Sequence, residues 1–314
     1  MSRMSLRSRA LAVAGCSAVA AVAAASPASA ATGPSQASFI GALGYSIGNG
    51  ASVDPPGTND WNCKPSAAHP RPVVLVHGTW ENKYYNFAAL APKLKKQGFC
   101  LFAANYSTPA PVLPVMYGTG SIKASAAELG TFVDKVLTAT GTSKVDIVGH
   151  SQGGMMPRAY IKYYGGGPKI GTIVSITGSQ QGTTLDGIAT LGNQLGVASG
   201  IHLALGQAAQ DQMIGSPFIT ALNAGGETVR NVRYVNIATK YDEVVTPYSN
   251  AYIVPAQNPA GAYVENIGLQ NGCGTNFADH LSAPYSVRTY YYVAKALGVN
   301  FSSPAPCDIQ LPVF

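Results

Sequence analysis

The chain has 314 residues, 46% of them hydrophobic and 11% charged, with a formal net charge of +6. It carries no repeats and no long low-complexity linker, so one large α/β domain with a sizeable core is expected. The tightest basic group, Lys93, Lys95 and Lys96, suits the solvated face of a helix, and no nucleic-acid partner is expected.

In chain order, Arg3, Arg7 and Arg9 precede an alanine-rich apolar run from Ala10 to Ala25, which ends at Ala28-Ser29-Ala30. A basic start, a short apolar run and an A-x-A site read as a secretory signal peptide over residues 1–30. The expected location is therefore extracellular. A membrane anchor fits less well, because Ser26, Pro27 and Ser29 follow the run rather than a basic flank. Val13-Ala14-Gly15-Cys16 has the look of a lipidation site but lies inside the apolar run. Cleavage leaves residues 31–314 as a single domain and lowers the formal charge to +3, since the leader holds three arginines and no acids.

From Ala31 to Arg71 the chain is rich in Gly, Pro, Ser and Asn, and an irregular surface segment is expected. Pro72–Val76 is a continuous apolar run ending in His77-Gly78, the pattern of a strand buried on both faces. A helix over Phe87–Gln97, a strand over Cys100–Tyr106 and a helix over Ser121–Thr140 follow. Lys144–Val148 is a further β-prone run. Beyond Gly149-His150-Ser151-Gln152-Gly153, the residues Met155, Met156, Ala159, Tyr160 and Tyr163 recur at helical spacing. Strands are then expected over Ile170–Ile176, Val232–Ala238 and Tyr263–Ile267, and a closing helix over Ala283–Leu297. Alternating strands and helices with near-continuous apolar strands predict a mostly parallel, doubly wound sheet.

G-x-S-x-G is weak by itself, because in a chain this rich in glycine roughly one serine in eighty is so flanked by accident. Its context gives it force: a short strand before Ser151 and a helix after it make a nucleophile elbow. A serine nucleophile needs a base, and the base needs an acid that fixes its tautomer. On a sheet of this kind the chain order is serine, acid, histidine. After Ser151 the histidines are His202, in an apolar insertion, and His280, in a polar loop before the closing helix. His280 is the expected base. Asp242, in a loop after a strand, is the expected acid, with Glu243 in reserve; Asp211 and Asp279 are weaker candidates. The backbone N–H groups of Thr79 and Gln152 are the expected oxyanion donors.

Val76-His77-Gly78-Thr79-Trp80, Gly149-His150-Ser151-Gln152-Gly153-Gly154, Lys240-Tyr241-Asp242 and Asp279-His280-Leu281, taken together, resemble the secreted bacterial lipases of the α/β-hydrolase superfamily, especially the actinobacterial class-2 triacylglycerol lipases. The resemblance runs from about Pro72 to Leu297. It implies an α/β-hydrolase fold, the triad Ser151, Asp242 and His280, the oxyanion donors Thr79 and Gln152, and His77 and His150 as neighbours whose ring hydrogen bonds brace the loops. A carboxylic ester hydrolase acting on acylglycerols is expected, with a lipid or other ester as its partner. Rival readings are a short-chain esterase, a polyester depolymerase, or a catalytically silent secreted binding protein on the same scaffold.

Residues 182–227 form an insertion containing Leu185, Ile188, Leu191, Leu195, Ile201, Leu203, Leu205, Met213, Ile214, Phe218 and Leu222. Two readings stay open, since amphipathic spacing does not separate them: ordinary helices with one buried stripe each, or a cap lining an acyl pocket. The four cysteines beyond the leader suit two bridges in an exported chain. Cys63 precedes a strand and Cys100 starts one, so both reach the edge opposite the site. Cys307 follows a closing helix of about 15 residues, or about 22 Å, and the extended chain after it could return over about 26 Å to Cys273, clamping the histidine loop. No cofactor, no metal and a monomer are expected.

Overall fold

The computed structural model describes residues 1, 30–110, 113–195 and 206–313. Six strands, β1 (Val73–Val76), β2 (Leu101–Ala103), β3 (Val145–His150), β4 (Ile170–Ile176), β5 (Arg233–Ala238) and β6 (Val264–Gly268), form one sheet in the order β2-β1-β3-β4-β5-β6. Every neighbouring pair is parallel. β1, β2 and β3 are buried along their whole length, as strands covered on both faces must be. The expected doubly wound α/β sheet is therefore the one observed.

Alternate side chains feed two separate cores. Val74, Val76 and Ile147 pack with α4 (Ile122–Thr140) and α5 (Gln152–Tyr164) through Ala126, Val133, Met155 and Ala159. Val73, Leu75 and Val148 pack on the other face with α3 (Leu90–Lys96) and α9 (Val287–Ala296) through Leu94 and Val293. Both layers hold strands side by side, so all strand ends on one side of the molecule share an edge.

Three expectations change. Residues 31–71 contain a helix, α1 (Phe39–Asn49), capped by Ser38, whose side chain accepts from Gly41 N–H. It buries Phe39 and Ala42 against Trp80 and Tyr85; three glycines inside it mask its apolar stripe from propensity reasoning. The helix expected over Phe87–Gln97 is two short ones, α2 (Lys83–Phe87), capped by Asn82, and α3. The closing helix is preceded by a 3₁₀ turn at Ala283–Tyr285, so its α-helical part has 10 residues.

The insertion supplies α6 (Leu185–Gln194), α7 (Gly206–Asp211) and α8 (Pro217–Asn223). Ile188, Leu191 and Leu195 pack with Trp80, Val244 and Leu281, whereas Ala208, Ile219 and Leu222 join the α4–α5 core. Ile201, Leu203 and Leu205, and with them His202, lie outside the described residues.

Candidate active site

The chain turns from β3 into α5 at Ser151, which takes φ +54° and ψ −126°. An L residue holds that backbone only under strain imposed by its surroundings. Glycine makes the turn sterically possible. A Cβ on Gly149 would stand 1.9 Å from the Gly153 carbonyl oxygen, and one on Gly153 would stand 2.1 Å from that of Val76. Ser151 thus rises at the carboxyl end of the sheet with the N-terminus of α5 directly behind it.

Three other strand ends bring their residues to the same edge: β1 leads to Thr79, β5 to Asp242, and the chain after β6 to His280. His280 is fully buried, and its Nδ1–H donates to Asp242, 3.0 Å from Oδ1 and 3.1 Å from Oδ2. Asp242 is itself held by the N–H groups of Val244 (3.0 Å) and Val245 (2.7 Å), both donating to Oδ1. With Nδ1 so engaged, Nε2 is the free nitrogen; it has no hydrogen-bond partner among the described residues, that of Ser151 included.

Burial, the largest single influence, would lower the pKa of His280. The Asp242 carboxylate, by charge and hydrogen bond, outweighs it with help from Glu243 and Glu81, and the pKa is raised to about 9. Glu243, the reserve acid, lies on the backbone instead: its Oε2 accepts from His280 N–H at 3.4 Å, and Gln194 Nε2 donates to its Oε1 at 2.9 Å. Burial raises its pKa. Asp211 caps α4 by accepting from Ile122 N–H at 2.9 Å, and Asp279 accepts from Ser282 N–H at 2.7 Å and Val313 N–H at 2.6 Å. Both carboxylates accept from backbone N–H groups.

Gln152 is the first residue of α5, where an N–H has no helical acceptor. Thr79 N–H likewise meets no backbone acceptor among the described residues. The two side chains are tied together: Thr79 Oγ1 donates to Gln152 Oε1 at 2.6 Å and accepts from Gln212 Nε2 at 2.7 Å. Gln212, between α7 and α8, is a site neighbour that sequence reasoning missed, since nothing in its local pattern marks it.

Both bracing histidines make ring hydrogen bonds. His77 Nδ1–H donates to the Gly78 carbonyl at 2.8 Å, and the ring stacks on Tyr106 with centroids 4.2 Å apart. Burial, above all, lowers its pKa to about 4. His150 Nε2–H donates to the His280 carbonyl at 3.1 Å. Glu81, buried behind the first loop, was also missed; only its position three residues beyond Gly78 signals it.

A parallel sheet carrying this strand–turn–helix elbow is that of an α/β-hydrolase. Residues 70–260 match the family model described as lipase (class 2). The chain belongs to that family. Ser151 and Asp242 fall within the match, and His280 lies beyond it. Among solved structures, the chain is similar to lipase B of Aspergillus fumigatus at 20% identity, with a TM-score of 0.61 over 81% of this chain and 57% of that one. It is also similar to a Bacillus licheniformis lipase in mature form, at 15% identity and a TM-score of 0.53, over 75% of this chain and 94% of that one. A Paleococcus ferrophilus monoacylglycerol lipase matches at 14% identity and a TM-score of 0.50, over 75% and 95% of the two chains. This chain therefore spans little more than half the length of the Aspergillus enzyme, and these likenesses concern the fold.

Proposed function

We propose that the protein hydrolyses carboxylic esters of lipids, acylglycerols foremost, through an acyl-enzyme on Ser151. The observation that carries this reading is the Asp242–His280 hydrogen bond, formed at the sheet edge where Ser151 is raised on its elbow. His280 Nε2 takes the Ser151 proton as Oγ attacks the ester carbonyl, and Asp242 holds the ring and offsets the charge it gains. Negative charge on the former carbonyl oxygen is met by the N–H groups of Thr79 and Gln152. The intermediate collapses as the imidazolium protonates the leaving alcohol. Water then attacks the acyl-serine with His280 as base, releasing the fatty acid and restoring Ser151.

Residues 1–30 act as an export signal in this reading, and residues 31–314 work outside the cell as one catalytic domain with 182–227 as its cap. The two disulfides support a life in an oxidising compartment. The test is covalent labelling with an organophosphonate followed by peptide mapping, beside Ser151→Ala. The label is expected on Ser151, and the variant is expected to lose at least three powers of ten in rate. A label elsewhere, or an unchanged rate in the variant, overturns the assignment. An ester chain-length series, with and without an emulsion, separates acylglycerol from short-ester preference.

A further inference from the structure

Glu81 stands at the junction of the two loops on which the proposed chemistry depends. It is 1% exposed, on a turn three residues past Gly78, and one of its oxygens serves both sides. Oε2 accepts from Gly78 N–H at 2.8 Å, and it lies 2.9 Å from His150 Nδ1. Through the other nitrogen, His150 donates to the backbone carbonyl of His280 at 3.1 Å, with the two imidazole rings 4.9 Å apart. A single line of hydrogen bonds thus runs from the oxyanion loop, through a carboxylate and an imidazole, to the backbone of the base. The line requires a proton on both ring nitrogens of His150; Asn86, whose Oδ1 accepts from Gly78 N–H at 3.2 Å and whose Nδ2 lies 2.9 Å from the same Nδ1, competes with Glu81 for that nitrogen.

Space at the junction is tight. A Cβ on Gly78 would meet Glu81 Oε2 at 2.5 Å and Ser151 Cβ at 3.0 Å, so the carboxylate, the loop and the elbow are in mutual contact. A buried carboxylate is costly to hold unless its hydrogen bonds compensate. For packing alone an apolar side chain would serve at least as well. What a carboxylate adds is acceptance of two bonds, from two loops far apart in sequence, at one fixed point.

We propose that Glu81 and His150 form a second buried carboxylate–imidazole pair, which sets the oxyanion loop and the His280 loop at a fixed separation and makes both residues positioning residues for ester hydrolysis. This rests on the reading of Ser151 and His280 given above. Neither residue touches the substrate. A misplacement of about 1 Å between the loops costs roughly a hundredfold in rate, so the effect belongs on kcat rather than on KM. There is an electrostatic consequence as well. His280 is faced by Asp242, Glu243, Glu81 and the His150 ring, and the negative charge of Glu81 is one of those that favour its protonated form.

The test is Glu81→Gln in the full-length chain, with a soluble p-nitrophenyl ester as probe, and with Ser151→Ala and wild type in parallel. In Glu81→Gln, kcat is expected to fall ten- to a hundredfold with KM within twofold. The acid limb of its pH–rate profile is expected to move to lower pH, while near-ultraviolet circular dichroism stays native. A folded Glu81→Gln that keeps kcat within twofold and the same acid limb overturns the proposal. Should Glu81→Gln fail to fold, ¹⁵N-histidine NMR of Ser151→Ala decides. Protons on both ring nitrogens of His150, Nδ1 included, support the pair, and an unprotonated Nδ1 overturns it. Activity surviving in Ser151→Ala would sink the parent reading instead, which keeps the two failures apart.

Discussion

At the residue scale, the site is a set of positions where an ordinary side chain does not fit. Gly153 is the sharpest case, since an added Cβ would stand 2.1 Å from the Val76 carbonyl oxygen and 2.5 Å from that of His77. Both are backbone atoms, so relief requires β1 to move away from the elbow. Gly153→Ala is therefore expected to lower activity at least a hundredfold and to destabilise the fold by about 1–3 kcal/mol. Steady-state kinetics and urea denaturation check both; a variant of native stability and rate would show that the elbow relaxes freely. Asp242 was legible because its loop follows a strand in the expected chain order. Glu243 beside it was not excluded by sequence, since the two differ only in which one reaches the ring.

At the scale of elements, the histidine loop owes its position to the chain that follows α9. Cys273 and Cys307 are bonded with Cα atoms 5.3 Å apart. The tail beyond Cys307 also pairs with the loop: Phe277 N–H donates to Gln310 O at 2.8 Å, and Val313 N–H donates to Asp279 at 2.6 Å. Arg288 on α9 holds the returning chain through the carbonyls of Ala305 (3.1 Å) and Pro306 (2.8 Å). The other bridge, Cys63–Cys100, lies at the amino end of β2, away from the site. Replacing Cys273 and Cys307 by serine is expected to cost about 4 kcal/mol by the chain-entropy argument. Well below the melting temperature, kcat should fall at least tenfold while far-ultraviolet circular dichroism stays native. Loss of rate and of sheet signal in step would refute the clamp. Both pairings were legible because strand and helix ends fix which cysteines can meet. The helix in residues 39–49 was not, because its glycines are tolerated only through burial of Phe39 and Ala42 on the hydrolase body.

For the whole molecule, two buried histidines set opposite pH dependences. His280, at about 9 against 6.5 unfolded, binds its proton more tightly when folded; its contribution to stability is complete below pH 6.5 and is lost as pH rises towards 9. His77, at about 4 against 6.5 unfolded, resists protonation when folded; its contribution is complete above pH 6.5 and is lost as pH falls towards 4. Each slope is on the order of 1 kcal/mol per pH unit. Melting temperature is thus expected to peak near pH 6.5, whereas the rate, which in the proposed mechanism needs His280 unprotonated, should still be rising there. Thermal denaturation and ester hydrolysis measured from pH 4 to 10 test this together; coincident optima would contradict it.

The sequence by itself determined the parallel α/β sheet and the strand–turn–helix elbow at Ser151, and it pointed to the serine, acid and histidine that the proposed mechanism uses. Each is written in local pattern: apolar runs of strand length, glycines two residues either side of a serine, and polar loops after strands. Only the tertiary structure decided that Asp242 rather than Glu243 holds the ring, that Gln212 reaches Thr79, and that Glu81 joins two loops. Those facts depend on distances between segments dozens of residues apart, and such distances are set by how the layers pack.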